Sequence, residues 1–163
     1  MKKKVFLYWQ ETCTPAVYDV TKALRDLFPV DVVLAAAREP TCHAFDTARG
    51  QFDAFCLLRE LPEPVISGDG GSIFGAFTLW LIEADISYAA HDYLYGAAWR
   101  HVAVVSAARI GFGENLLKEA CHELGHLFGL EHCPNPCLMS ASGSLQQLKD
   151  KPMSLCLGCA SRL

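Results

Sequence analysis

Apolar and polar positions along the first part of the chain predict strands that alternate with helices. Residues 4–9 (KVFLYW) are β-branched and aromatic and predict a first strand. Thr14 and Pro15 offer an N-cap and N1 pair for a helix whose apolar positions follow at helical spacing, and Pro29 ends it. Residues 30–34 predict a second strand. This β-α-β order predicts parallel strands joined by a right-handed crossover.

Further apolar segments extend the predicted sheet. Residues 77–82 and 101–106 predict buried strands, and residues 88–95 predict an extended segment between them. A second helix that covers the sheet is expected within residues 47–61. The glycine-rich residues 67–71 predict a loop whose spacing does not match a phosphate-binding loop. The pattern as a whole predicts an α/β fold in one domain.

A third helix, predicted for residues 115–128 (NLLKEACHELGHLF), carries the most informative pattern. At about 100° per residue, its apolar side chains fall on one side and pack on the sheet. The opposite side presents polar side chains to a cleft, namely Glu119, His122, Glu123 and His126. Because His122 and His126 are one turn apart, both can reach one ion. Glu119 either orients a ligand histidine or lies exposed, and the sequence leaves both open.

A third histidine completes the predicted metal site. Gly129 suits the left-handed position that ends a helix, after which the chain can return and bring His132 to the same ion. Three neutral histidines leave one zinc position open for water, whose pKa the metal lowers to about 7. Glu123 is placed to take the proton of that water and pass it to a leaving amine. The alternative, unconnected histidines on a surface helix, is disfavoured by the spacing.

Eight cysteines divide into isolated ones and two close pairs. We expect the isolated ones to lie in the core: Cys13, Cys42, Cys56 and Cys121. The pairs are Cys133 with Cys137, and Cys156 with Cys159. Few apolar residues follow Gly129, so burial alone cannot order this region, whereas four thiolates around a structural zinc can. Two disulfides or unligated thiols remain the alternative, and Lys149 and Lys151 between the pairs are expected to be solvated.

Composition excludes several other classes of protein. The 163 residues are 52% hydrophobic and 20% charged, which is typical of a globular domain. A net charge of -4 gives no reason to expect a nucleic-acid or anionic-membrane partner. No apolar run reaches the roughly 18 residues of a membrane span, and the start lacks a signal-peptide pattern. We therefore expect a cytoplasmic monomer with no nucleic-acid or membrane partner.

The motif HELGHLFGLEH at residues 122–132 is followed by Cys133, by Cys137-Leu138-Met139 and by Cys156-x2-Cys159. This series resembles the archaemetzincin family of zinc peptidases, which belongs to the metzincins. The resemblance implies a twisted, mostly parallel sheet with an antiparallel edge strand along the cleft, and an active-site helix above a small C-terminal subdomain. It implies one catalytic domain over residues 1–163, with an N-terminal subdomain at 1–128 and a C-terminal subdomain at 129–163.

The same resemblance implies a role for each residue of the motif. The catalytic zinc ligands would be His122, His126 and His132, with Glu123 as general base and acid. Met139 corresponds to the tight turn beneath the metal, and a structural zinc would be held by Cys133, Cys137, Cys156 and Cys159. The chain departs from the family pattern in its first cysteine gap and in the stretch from Met139 to Cys156, each one residue shorter.

The predicted function is hydrolysis of peptide bonds in a peptide or unfolded protein, through a zinc-bound water that Glu123 activates, with two zinc ions per chain. An exposed edge at residues 88–96 could pair with an extended peptide. Several metzincins use a tyrosine after the Met-turn, and no tyrosine lies beyond Tyr95 here. This leaves open a zinc-stapled peptide-binding module with little or no catalysis. A zinc-dependent endoribonuclease also fits the histidine spacing, but Glu123, the cysteines and the acidic charge disfavour it.

Overall fold

The computed structural model describes residues 2–62 and 75–163, so the loop predicted at residues 67–71 and the side chain of Cys42 lie outside the description. The strands are β1 (Lys3–Trp9), β2 (Val30–Ala37), β3 (Phe45–Asp46), β4 (Gln51–Asp53), β5 (Ala76–Ile82), β6 (Ile86–Tyr88), β7 (His91–Leu94), β8 (Gly96–Trp99) and β9 (Val102–Ser106). The α-helices are α1 (Val17–Leu27), α2 (Ala54–Glu60), α3 (Glu114–Leu127), α4 (Leu145–Asp150) and α5 (Leu157–Ala160). Two 3-10 helices span Glu11–Ala16 and Cys42–Ala44.

The main sheet of the described residues has the strand order β2-β1-β5-β9-β8. Neighbouring strands are parallel except that β8 pairs antiparallel with β9 at one edge. Every residue of β5 and β9 is buried, because helices and loops cover both faces of this part of the sheet. The predicted α/β fold with a mostly parallel sheet and an antiparallel edge strand is therefore confirmed.

The predicted start of the first helix is wrong. Thr14 and Pro15 lie inside the 3-10 helix, and α1 begins only at Val17, without a side-chain cap. The Thr14 hydroxyl donates a hydrogen bond to the Glu11 carbonyl (2.7 Å) and accepts one from the Trp9 indole N–H (3.2 Å). Because both partners hold Thr14 in the preceding turn, it does not cap the α-helix.

The segment predicted as extended over residues 88–95 is divided between two sheets. β6 and β7 form an antiparallel hairpin in a smaller sheet of order β3-β4-β6-β7, and β8 then joins the main sheet. Buried hydrogen bonds fix the base of this hairpin, since the Gln51 amide donates to Asp85 (2.9 Å) and to the Asp92 carbonyl (2.8 Å). Arg109 also donates two hydrogen bonds of 2.8 Å to Asp85. The hairpin is thus a fixed wall beside α3.

Helices cover the two faces of the main sheet. On one face α1 and α3 bury a large apolar cluster, in which Leu116, Ala120 and Leu124 of α3 are fully covered. On the other face α2 packs its buried side chains on β9. Among the described residues, no helix has the length and apolar character needed to cross a membrane.

Two of the isolated cysteines are core residues as predicted, because Cys13 and Cys121 are buried. The prediction for Cys56 is wrong, since that side chain is exposed. Ala54, Leu57 and Leu58 form the buried face of α2, and Cys56 lies on the opposite face of this short helix.

Candidate active site and metal centres

The polar face of α3 lies in the cleft but is covered on almost every side. Only 4% of His122, 4% of Glu123 and 5% of Glu119 is exposed to solvent. The hairpin and β8 cover this face from one direction, and the chain after Gly129 covers it from another. These three side chains are therefore buried deep in a cavity, whereas His126 is partly buried and His132 is exposed to solvent.

Three histidines converge beside this cavity, and His122 and His132 line it. The Nε2 atoms of His122 and His126 are 3.1 Å apart, and one donor nitrogen from each of these and from His132 lies within 4.8 Å of the others. The return of the chain depends on Gly129, which adopts φ 86° as predicted for the residue that ends the helix. The Leu130 N–H then donates to the Gly125 carbonyl (3.0 Å), which closes the turn.

Backbone carbonyls fix the orientation of two of the rings. His122 Nδ1 is 3.0 Å from the Leu138 carbonyl oxygen, and His126 Nδ1 is 2.8 Å from the Leu130 carbonyl oxygen. Each Nδ1–H therefore donates to the backbone, which leaves Nε2 with a free lone pair. Burial lowers the pKa of His122 to about 3 and also lowers the pKa of His126. Both rings are neutral near pH 7, and this donor set fits a zinc ion.

Glu123 and Glu119 lie side by side on the helix, one turn apart. Burial raises the pKa of Glu123 well above its usual value, and the negative charge of Glu119 raises it further. Burial also raises the pKa of Glu119, whose side chain shares a hydrogen bond with Glu123. The sequence left open that Glu119 orients a ligand histidine or lies exposed; the structure excludes the exposed position and gives Glu123 as its hydrogen-bond partner. The sequence signal for its burial was the spacing of four residues from Glu123, which places both side chains on the same face of the helix.

A buried lysine contradicts the expectation that both lysines between the cysteine pairs are solvated. Lys149 is exposed, but only 5% of Lys151 is. The Lys151 ammonium donates a hydrogen bond to the Ser140 carbonyl (3.1 Å) and lies 3.3 Å from His122 Nδ1. Burial lowers its pKa, against the attraction of Glu119 and Glu123. The reason is that α4 packs back on α3, so that the residue after α4 enters the cavity, which no local pattern indicates.

The cavity itself has a volume of about 520 Å³ and two walls. Residues 90–96 of the hairpin and β8 form one wall, and residues 141–143 form part of the other. The Tyr93 hydroxyl donates a hydrogen bond across it to the Gly143 carbonyl (3.4 Å). Tyr95 is buried in the same wall, and burial raises its pKa to about 12. Tyrosines thus reach the cavity from the strand side, although none follows Met139 in the sequence.

Met139 lies in a tight turn against the metal-facing helix. Its side chain is fully buried, and the Ser140 N–H donates to the Cys137 carbonyl (3.0 Å) to close the turn. A methyl group on Gly125 would lie only 2.3 Å from Met139 Sδ. The absence of a side chain at Gly125 is therefore what lets the turn approach the helix between the two histidines.

The four paired cysteines form a second cluster, whose sulfur atoms all lie within 4.8 Å of one another. Their thiols are free, and the 3.8 Å between Cys133 Sγ and Cys156 Sγ is far from the roughly 2.05 Å of a disulfide. Backbone N–H groups of Met139 (3.5 Å) and Cys156 (3.3 Å) donate to Cys137 Sγ. A hydrogen bond from the Cys159 backbone lowers the pKa of Cys156 to about 7. Such thiolate-stabilising contacts fit a four-sulfur zinc site.

Comparison with known proteins agrees with this geometry. The model of peptidase family M54 matches residues 14–163. An archaemetzincin of Archaeoglobus fulgidus is 29% identical over 168 residues, which cover 98% of each chain. An archaemetzincin of Pyrococcus abyssi is 36% identical over 136 residues, which cover 74% of this chain and 70% of that protein.

Solved structures are similar over nearly the whole chain. The crystal structure of the Archaeoglobus fulgidus archaemetzincin, complexed with malonate, has a TM-score of 0.86 at 28% identity and covers 98% of this chain and 99% of that one. The Methanopyrus kandleri archaemetzincin has a TM-score of 0.80 at 27% identity and covers 98% and 92%. The family model and these similarities extend well beyond the histidine motif to the sheet and the C-terminal region. The chain therefore belongs to peptidase family M54 and is a relative of the archaemetzincins.

Proposed function

We propose that this zinc metallopeptidase hydrolyses peptide bonds at the cavity described above, with His122, His126 and His132 as the ligands of the catalytic zinc and Glu123 as general base and acid. The observation that carries the proposal is the convergence of three imidazoles beside a buried carboxylate in one cavity, in a member of a peptidase family.

The chemistry divides between the metal and the chain. When bound, zinc supplies a Lewis acid that polarises the scissile carbonyl and acidifies water to a pKa of about 7. Glu123 takes the proton from the attacking water and gives it to the leaving amine as the C–N bond breaks. Burial and the charge of Glu119 raise the pKa of Glu123, which brings it closer to working pH, where one group serves best as base and then acid.

Other residues of the chain orient and balance these groups. The carbonyls of Leu138 and Leu130 hold the rings of His122 and His126 with Nε2 toward the common centre. Lys151 carries a positive charge into a cavity that already contains two carboxyl groups, and it ties the turn after Met139 to α4 through Ser140. A buried charge of this kind is tolerated because opposite charges face it.

The substrate is a peptide or unfolded protein bound in extended form. β8 is the outermost strand of the main sheet, with β9 on its inner side, and its first residue, Gly96, lines the cavity. An extended peptide can therefore hydrogen-bond to the free edge of β8 and extend the sheet by one strand. Of the edge predicted over residues 88–96, only Gly96 belongs to β8, and residues 91–94 form β7, the outermost strand of the smaller sheet, which also lines the cavity.

The second cluster holds a structural zinc between Cys133, Cys137, Cys156 and Cys159, so each chain carries two zinc ions. Free thiols, short sulfur separations and N–H donors to Cys137 support this assignment. The two metals then belong to one catalytic domain over residues 1–163, with subdomains at 1–128 and 129–163. The monomeric, cytoplasmic state without a nucleic-acid partner stays a prediction.

The test is the variant Glu123→Gln, which keeps size and removes the base. We expect cleavage of a diverse peptide library to fall by about 100- to 10,000-fold, as for loss of a general base, while the zinc content measured on the same sample stays at two per chain. Glu131→Gln is the matched control, because Glu131 is exposed beside His132. Equal cleavage by wild type and Glu123→Gln would contradict the mechanism. No feature of residues 2–62 and 75–163 favours the endoribonuclease or the non-catalytic binding module.

A further inference from the structure

Gly96, the first residue of β8, lies directly against the carboxyl group of Glu123. A methyl group placed on Gly96 would be 2.7 Å from Glu123 Cγ, 2.8 Å from its Oε1 and 3.0 Å from its Cδ. The three nearest heavy atoms thus all belong to one side chain. Gly96 does not adopt a left-handed φ, unlike Gly129, so its backbone conformation does not require glycine. The close approach of Glu123 is the remaining reason for a glycine here.

Glu123 is confined from the helix side as well. Glu119 lies one turn earlier on the same face of α3, is 95% buried, and shares a hydrogen bond with Glu123. Gly96, Glu119 and Glu123 all line the same cavity. The Glu123 side chain therefore occupies a slot with the β8 backbone on one side and the Glu119 carboxyl on the other.

We infer that Gly96 is a positioning residue, which sets the place of the Glu123 carboxylate by letting the backbone of the edge strand pack on it. This inference rests on the proposed function, in which Glu123 moves the proton. A glutamate side chain has several rotatable bonds and would otherwise sample many positions. Because β8 is also the edge on which an extended substrate is proposed to lie, the same backbone fixes the base and the peptide relative to each other.

The neighbouring residues of β8 show that glycine is not a general requirement of this strand. Ala97 and Ala98 follow directly, and their methyl groups pack into the apolar clusters on the two faces of the sheet. Glycine in a strand lowers its intrinsic stability, so a close backbone approach is the usual reason for it. At position 96 the group that approaches is Glu123.

The first experiment compares Gly96→Ala with Gly75→Ala in the zinc-loaded protein. Gly75 is the control, because a methyl group there meets no atom of the described residues within 4 Å. We expect Gly96→Ala to lower kcat by about 100-fold, as for a displacement of about 1 Å, with KM and zinc content unchanged. Gly75→Ala should match wild type. Wild-type kcat in Gly96→Ala would overturn the inference.

The second experiment does not depend on activity. Urea unfolding of the zinc-loaded protein is measured for Gly96→Ala in the wild-type background and in the Glu123→Ala background, which lacks Cγ, Cδ and both carboxyl oxygens of Glu123. We expect a lower midpoint in the first background and almost no shift in the second, because the atoms that the methyl group meets are then gone. The same shift in both backgrounds would overturn the inference. If Gly96→Ala folds only together with Glu123→Ala, the inference is supported.

These measurements separate the two proposals. Cleavage that survives Glu123→Gln would remove the proposed mechanism but leave the coupling between Gly96 and Glu123 in unfolding. The opposite result is also possible: Glu123→Gln loses cleavage, Gly96→Ala retains it, and the two positions are not coupled in unfolding. That result would contradict only the role of Gly96. A crystal structure of Gly96→Ala gives a direct check, since the carboxyl group of Glu123 must have moved from its wild-type position.

Discussion

The histidine cluster and the cysteine cluster are both compact but are held in different ways. In each, the candidate donor atoms lie within 4.8 Å of one another. The histidines stand on or beside α3, which packs on a large apolar core, and backbone carbonyls orient His122 and His126. The cysteines are surrounded by a small cluster in which only Leu130 and Met139 join them as buried apolar side chains.

The two sites therefore differ in what orders them. At the histidines the fold positions the side chains, and at the cysteines we expect metal binding to order the chain. Burial of the apolar face of α3 fixes His122 and His126 before any metal arrives. Around the cysteines little apolar surface is buried, so we expect the free energy of metal binding to order the chain there. The predictions below test this contrast.

The largest effect is expected from Cys137→Ser, which removes the most buried ligand of the cysteine cluster. Zinc-linked folding free energies are of order 10 kcal/mol, so the chain around the four cysteines should lose its order, while β5, β9 and α4, whose Leu148 is buried in the main core, keep theirs. Hydrogen exchange measured by mass spectrometry resolves the two regions. Cys56→Ser, at an exposed thiol outside the cluster, is the control. Unchanged protection around the four cysteines would show that packing alone orders this region.

A smaller effect is expected from acidification once the catalytic zinc has been removed and the cysteine zinc retained. Burial holds the pKa of His122 at about 3 in the folded state, against about 6.5 unfolded. The unfolded chain therefore binds the extra proton below pH of about 6.5, and stability falls as pH falls, by at most about 1.4 kcal/mol per pH unit for this histidine.

The measurement is the free energy of unfolding in urea between about pH 7 and about pH 5. Glu119 and Glu123 have raised pKa values and contribute a slope of opposite sign, so the wild type is compared with His122→Gln, which retains both carboxyl groups. The slope of the free energy of unfolding against pH should be less positive in the variant, by at most about 1.4 kcal/mol per pH unit. Identical slopes would mean that the fold does not hold His122 in its neutral form.

The smallest effect is expected from Gly125→Ala, where the two regions meet. The new methyl group would overlap Met139 Sδ, so the turn must shift, at a cost of about 1–3 kcal/mol for overpacking. Thermal unfolding should show the loss, and the added substitution Met139→Ala should recover part of it by removing the overlapping atoms. A melting temperature equal to wild type would show that the turn is free to move.

Local patterns predicted those parts of the molecule that depend on neighbours in sequence. The buried strands and α3 were predictable because each is a continuous apolar or helical pattern, and the histidine motif lies within one helix and one turn. The burial of Lys151 beside His122 and the close approach of Gly96 to Glu123 were not predictable, because the residues of each pair are about 30 positions apart in sequence. The start of α1 was missed because hydrogen bonds of Thr14 favour another turn.

The two clusters share one stretch of backbone, since Cys133 follows His132 directly. Ordering Cys133 around one ion restricts the position of His132, and occupancy at the histidines restricts Cys133 in turn. Thermodynamic linkage requires that each metal change the affinity of the other by the same factor. Titration of a metal-free chain with zinc should then show cooperative binding. The ion that binds first at the thiols should raise the affinity of the histidines for the second ion.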